Sequence, residues 1–161
     1  MTVRTLETTT QCIVLVRTYP AAPDILYSTL LDPERVCQWC ALPGETCRIL
    51  RWDPEEGVEF RILVRQRTTG DIRSIEGDFV ALEPPRRIIA TFQPETPERH
   101  PDTPRLVVEL TPEEIQTRLR LMHARLAGPE EVETAAEEWQ TRLERIEETI
   151  PTRERLPVAP T

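Results

Sequence analysis

The sequence predicts an α+β fold: a curved, antiparallel, seven-stranded sheet around one long C-terminal helix, with two short helices after the first strand. Three observations carry that prediction. The segment from Pro129 to Ile150 sets Val132, Ala136, Trp139, Leu143, Ile146 and Ile150 at alternating steps of four and three. Such spacing makes one apolar stripe along a helix of about five to six turns. Upstream, from Gln11 onward, apolar and polar side chains alternate in segment after segment, the period of half-buried strands. The turns joining those segments are short, which suits antiparallel neighbours, because parallel ones need long crossovers.

Composition narrows the function classes. A chain of 161 residues can bury the core of one domain, and 39% hydrophobic with 30% charged residues is ordinary for a globular protein. No run of about eighteen apolar residues occurs, so a helical membrane span is excluded. The N-terminal stretch has no apolar signal core, and a cytoplasmic location is expected. A net charge of −8 sets the chain against nucleic acid and anionic membrane surfaces, which would repel it. Histidine aside, every basic side chain is Arg, a mark of genomic composition.

Taken in order, residues 1–10 are polar and Thr-rich and are expected to fray, and residues 151–161, with three prolines, to form a flexible tail. The domain is then 11–150. Gln11 to Tyr19 is a β-branched strand, and Pro20 and Pro23 break it. Asp24 to Leu31 has helical spacing. Asp32-Pro33-Glu34 opens a second helix with a capping residue, a first-turn proline and a dipole partner. Strands follow at Thr46 to Trp52, from Val58 to Val64, at Ile72 to Leu82 and at Arg87 to Gln93, with a hairpin turn at Thr69-Gly70-Asp71. Gly77 inside its strand signals a bulge or a sharp bend. A Pro-rich loop carrying His100 spans Pro94 to Pro104. The strands Arg105 to Leu110 and Thr117 to His123 flank a turn at Thr111 to Glu114. The final helix has Pro129 in its first turn, with Glu130, Glu131 and Glu133 at the positive end of its dipole.

Few residues suggest chemistry. Cys37 and Cys40 have the spacing of half a zinc site, with Cys47 nearby, but a closed site wants four ligands and the second pair is missing. No metal and no cofactor is implied, and the thiols are expected to be reduced. His123 shares strand parity with Leu119 and Leu121. Facing inward, it is either a general base or ligand partner, or a hydrogen-bonded core histidine. Arg65 and Arg73 also lie on strands and are expected on the outer face, as are Glu76 and Asp78. No Ser-His-Asp spacing, phosphate loop or carboxylate dyad is legible, and whether the chain is an enzyme stays open.

Specific stretches resemble a known family. Tyr19-Pro20-Ala21-Ala22-Pro23-Asp24-Ile25-Leu26, followed by Leu31-Asp32-Pro33-Glu34-Arg35-Val36 and Trp39, looks like the opening signature of the activator of heat shock protein 90 ATPase homologue family. Glu76-Gly77-Asp78-Phe79, Leu82-Glu83-Pro84-Pro85-Arg86-Arg87-Ile88, the pair Leu106 to Leu110 and Thr117 to His123, and Trp139-Gln140 with Leu143 resemble its later motifs. The likeness runs over about residues 11–150. It departs at Glu138 and at Glu56-Gly57, where the family has glycine, and in the Pro-rich insertion.

The resemblance implies the helix-grip fold of the START-like (SRPBCC) superfamily, the birch-pollen-allergen fold, with a cavity between sheet and helix. Members bind lipids, hormones or polyketides there, and some cyclise or hydrolyse them. Strand parity and the helical stripe then point Trp39, Phe60, Ile62, Phe79, Phe92, Leu119, Leu121, His123, Trp139 and Leu143 toward it as ligand-binding candidates. The same side chains could instead fill the space as core. The expected partner is a hydrophobic small molecule. A co-chaperone-like interaction module ranks lower, because 161 residues leave no room for the separate N-terminal domain of the eukaryotic namesake. A homodimer, a chaperone partner and a cyclase or hydrolase activity are left open.

Overall fold

The computed structural model describes residues 3–7, 11–94, 104–126 and 128–157. The strands are β1 (Val3–Glu7), β2 (Cys12–Tyr19), β3 (Glu45–Arg51), β4 (Glu59–Gln66), β5 (Ile72–Glu83), β6 (Arg87–Thr91), β7 (Gln93–Pro94), β8 (Arg105–Glu113) and β9 (Gln116–Ala124). The helices are α1 (Pro23–Leu31), α2 (Pro33–Cys40) and α3 (Pro129–Thr149). Every strand pairing is antiparallel, in the order β1-β2-β9-β8-β6-β5-β4-β3, with β7 beside β5. The seven expected strands are β2 to β6, β8 and β9, and they grip α3 as the alternation implied.

The grip has a simple origin. Val132, Ala136, Trp139, Leu143, Ile146 and Ile150 are all buried, so the stripe on α3 is the face turned to the sheet. Each large apolar side chain so buried contributes roughly 1.5–3 kcal/mol. Tyr19, at the end of β2, is fully buried and donates its hydroxyl to the Leu143 carbonyl at 2.7 Å, which fixes the helix along its axis. Asp32 accepts from the Glu34 amide at 3.1 Å, as expected of a helix cap, and joins α1 to α2 without a loop.

Curvature is concentrated in β5, which pairs first with β4 and then with β6. A Cβ on Gly77 would stand 1.9 Å from the Thr91 carbonyl and 2.5 Å from Phe60 Cζ, so only glycine lets these strands approach so closely. The register slips two residues later, between Phe79 and Ala81. At the far hairpin, Gly70 takes a φ of 77° and Asp71 donates its amide to Thr69 Oγ1, as that turn requires.

Three expectations need correction. Residues Val3–Glu7, expected to fray, form β1 on the open edge of β2, where backbone groups would otherwise lack partners. The segment after Pro151, expected to be loose, forms a short 3-10 turn at Thr152–Glu154 and docks. Glu154 pairs with Arg35 at 3.1 Å, Arg155 donates to the Glu147 and Ile150 carbonyls at 2.7 and 3.1 Å, and the Leu156 amide reaches the Pro20 carbonyl. Arg155 thereby adds side-chain donors at the C-terminal end of α3, where the Glu147 carbonyl also accepts from the Ile150 amide at 3.2 Å. Finally, the turn expected at Thr111 to Glu114 is shorter, because β8 runs on to Glu113. Pro112 is tolerated there because β6 has ended at Arg87 and β8 has only β9 beside it. Residues 95–103 of the Pro-rich loop, His100 included, lie outside the described residues.

Candidate functional site

An apolar chamber of about 60 Å³ lies between the sheet, α1–α2 and α3. Its wall includes Trp39 from α2, Phe60 and Ile62 from β4, Phe79 from β5, Phe92 from the β6–β7 junction, Leu119 and Leu121 from β9, and Trp139 and Leu143 from α3. These are nine of the ten residues that sequence reasoning placed toward a cavity. The volume is small. It is about two waters' share of liquid, against the roughly 150 Å³ of an engineered void that admits benzene.

The tenth residue, His123, sits elsewhere. It faces a second space, a cleft of about 120 Å³ between β5, β9 and the first half of α3, lined also by Arg73, Glu138 and Arg142. Phe92 and Trp139, with ring centroids 5.1 Å apart, stand between chamber and cleft and contribute to both walls.

His123 is held tightly. The Trp139 indole Nε1–H donates to His123 Nδ1 at 3.1 Å. An indole N–H is a donor only, so Nδ1 is the unprotonated nitrogen and Nε2 carries the hydrogen, directed at the Phe92 carbonyl 3.3 Å away. Burial pulls its pKa down to about 4; the Phe92 carbonyl raises it and the Arg142 charge lowers it further. The imidazole is therefore neutral with both nitrogens engaged. Of the two alternatives for this residue, the geometry is that of the hydrogen-bonded core histidine.

Two arginines escaped sequence reasoning. Arg73 was expected on the outer face, but it shares parity with the buried Ile75 and Phe79 and points to α3. It lies 3.4 Å from Glu138 and 3.4 Å from Glu45. Arg142 is 1% exposed, among the most buried large side chains of the protein. Its Nε donates to the Cys40 carbonyl at 3.0 Å, and its guanidinium carbon stands 5.0 Å from the Trp139 ring centroid and 5.8 Å from that of Phe92. Nη1 is 3.6 Å from Glu138 Oε2, beyond hydrogen-bond distance. A signal existed for both. Arg142 falls one turn after Trp139 on the buried side of α3, and Arg73 falls two residues before Ile75. Trp52 was missed as well. It follows β3, donates to the Leu31 carbonyl at 2.7 Å, and packs on Phe60 and Phe79 at the chamber wall.

Among the described residues no group of three or more His, Cys, Asp or Glu is arranged to hold a metal ion. Cys37 Sγ approaches Cys47 Sγ at 3.2 Å as a pair of free thiols, and burial pushes the Cys47 thiol well up. No helix among the described residues is long and apolar enough to cross a membrane.

With this geometry in place, comparison with known proteins settles the family. The model of the family described as Activator of Hsp90 ATPase homolog 1-like protein matches residues 20–150. The chain belongs to that family. Its fold is the START-like helix-grip fold, shared with solved structures of low identity. A protein from Chromobacterium violaceum is 21% identical, with 86% of this chain and 96% of that one covered, at a TM-score of 0.77. One from Arthrobacter aurescens is 14% identical over 93% and 92% of the two chains, at a TM-score of 0.81. CalU16 from Micromonospora echinospora is 22% identical over 95% and 88%, at a TM-score of 0.68. Among curated proteins no relative matches.

Proposed function

We propose that this family member binds a hydrophobic small molecule between its sheet and α3. The observation that carries the reading is the unfilled chamber, walled by Trp39, Phe60, Phe79, Leu121 and Leu143 among other apolar side chains. Protein interiors ordinarily leave few voids larger than a water molecule, and ligand pockets are mostly apolar. The chamber alone is too small for a lipid- or polyketide-like body. Room comes from moving Phe92 and Trp139, the side chains shared by both spaces. Together, chamber and cleft have the scale of the roughly 150 Å³ void that admits benzene. A ligand of one or two rings, or a short chain, fits that scale.

The alternatives have less support. An interaction module would present a contiguous apolar patch. The large apolar side chains exposed among the described residues, Leu50, Ile72, Val80 and Ile115, are instead spread over β3, the start and the second half of β5 and the β8–β9 turn. A cyclase or hydrolase would need an available base, and both nitrogens of His123 are engaged.

Thermal unfolding against a panel of fatty acids, isoprenoids, sterols and small aromatic compounds, with native mass spectrometry on the hits, tests the reading. A ligand present at a hundred times its Kd stabilises by about 2.7 kcal/mol. The expected result is a shift from the smaller apolar members that is lost when Leu121→Trp fills the chamber in a still-folded variant. No shift from any member, with no co-purified small molecule, would overturn the reading in favour of an interaction module.

A further inference from the structure

Resting on the ligand-binding reading above, we infer that the cleft beside α3 is a carboxylate site. Arg142, with Arg73 in support, receives the head of a small amphipathic monocarboxylic acid whose apolar body lies toward Phe92, Trp139 and the chamber.

The inference starts from a buried arginine that spends only its Nε on the fold, at the Cys40 carbonyl. Position 142 lies on the buried side of α3 between Trp139 and Ile146, where Leu or Met would pack without any charge to desolvate. Burying a guanidinium is unfavourable unless its donors are well matched, and here the carboxylate match is loose. Nε has the Cys40 carbonyl, and Nη1 stands 3.6 Å from Glu138 Oε2, a long approach for an ion pair. The nearest carboxylate, Glu138, is divided between two guanidiniums, at 3.6 Å from Arg142 and 3.4 Å from Arg73. Good charge-assisted contacts are about 2.7–2.9 Å. Glu138 is thus a loose partner for Arg142, and at 25% side-chain exposure it can stay with Arg73 and water when another carboxylate arrives.

The surroundings select the ligand class. A planar guanidinium presents a fork that matches a carboxylate in two parallel hydrogen bonds. The rings of Trp139 and Phe92 flank that fork, so a ligand held by its head meets aromatic surface next. The neutral His123 adds no competing charge. Arg73 and Arg142 stand with Glu131 and Glu138 in the same wall, and Arg73 also meets Glu45, so there is no surplus positive charge to hold the second negative charge of a phosphate or a dicarboxylate. The cleft, about four waters' share of liquid, takes a head group and a few further atoms.

Isothermal titration of the full chain at pH 7 with three matched pairs tests this: benzoate and benzamide, 2-naphthoate and 2-naphthamide, decanoate and decanamide. The expected result is that in at least one pair the acid binds about ten-fold or more tighter than its amide, the range of a hydrogen bond to a charged group. Arg142→Met, checked for folding by circular dichroism, removes that advantage. Arg142→Lys keeps a point charge without the fork and retains part of it. Acids and amides binding alike to the unaltered protein would overturn the carboxylate site and leave the hydrophobic-ligand reading standing. If no acid in the series binds, the carboxylate site falls too, and only silence across the apolar panel as well would remove the broader reading.

Discussion

On one side of the Phe92–Trp139 pair the wall is apolar. On the other side, within one turn of α3, lie a buried arginine, a neutral histidine and a carboxylate shared by two guanidiniums. The chamber follows the rules by which a sequence specifies a core, and the only departure is the space left in it. The cleft breaks those rules with specific residues. Levels of structure that agree indicate folding; a local conflict that folding does not need indicates use. The two regions therefore respond differently to substitution.

The largest effect belongs to the chamber. Phe79 is 2% exposed and lies 5.1 Å, centroid to centroid, from both Trp52 and Phe60. Phe79→Ala is expected to remove about 3–5 kcal/mol of stability in urea unfolding. A loss below about 1 kcal/mol would show that the chamber wall is not packed.

Next in size is an acid sensitivity seated in the cleft. The folded pKa of His123 is lowered to about 4, first by burial, while the unfolded chain has the ordinary 6.5. Between those values the unfolded state binds more protons, so stability that is full above pH 6.5 drains away as pH falls to about 4. The expected loss is on the order of 3 kcal/mol. His123→Gln should flatten that limb of the stability profile, and an unchanged limb would place the sensitivity elsewhere.

Trp139→Phe sharpens the comparison, since it keeps an aromatic wall for the chamber and removes a donor from the cleft. It should reduce stability by about 1–2 kcal/mol, the range for a buried acceptor left without its partner. It should also raise the His123 midpoint measured by NMR titration, because Nδ1 is then free to take a proton.

The smallest effect is expected at the most buried charge. Replacing a buried ion by an apolar side chain of similar length is often neutral or stabilising. Arg142→Met should shift the unfolding free energy by under about 1 kcal/mol, because the bond lost at the Cys40 carbonyl is offset by a charge that no longer has to be desolvated. A loss of several kcal/mol would mean that the guanidinium serves the fold, and the contrast between the two regions would disappear.

These differences also explain what the sequence disclosed. Alternation in β4, β5 and β9 pointed Phe60, Phe79 and Leu121 inward, because period two and burial on one face are local properties of the chain. The stripe on α3 was legible for the same reason. What stayed hidden depended on distant pairing or on a default. β1 is stable through the edge of β2, which its own weakly apolar residues do not announce. Trp52 looked like a strand end, and its place at the wall arises from a hydrogen bond to α1 across 21 residues of sequence. Arg73 and Arg142 obeyed the correct periods, but the usual exposure of arginine outweighed position. The empty volume could not be read at all, since it is a difference between side-chain shapes that only the assembled core defines.

The Trp139 indole N–H is the direct reporter for ligand entry, because that side chain borders both chamber and cleft and its proton is held by His123. The decisive measurement is its NMR resonance during titration with whichever panel compound raises the unfolding temperature. The expected result is a saturable shift of that signal, together with Phe92 and Leu121, at the concentrations that stabilise the protein. A stabilising compound that leaves the indole signal still and moves Leu50 and Ile72 on the outer face would contradict a site between sheet and helix.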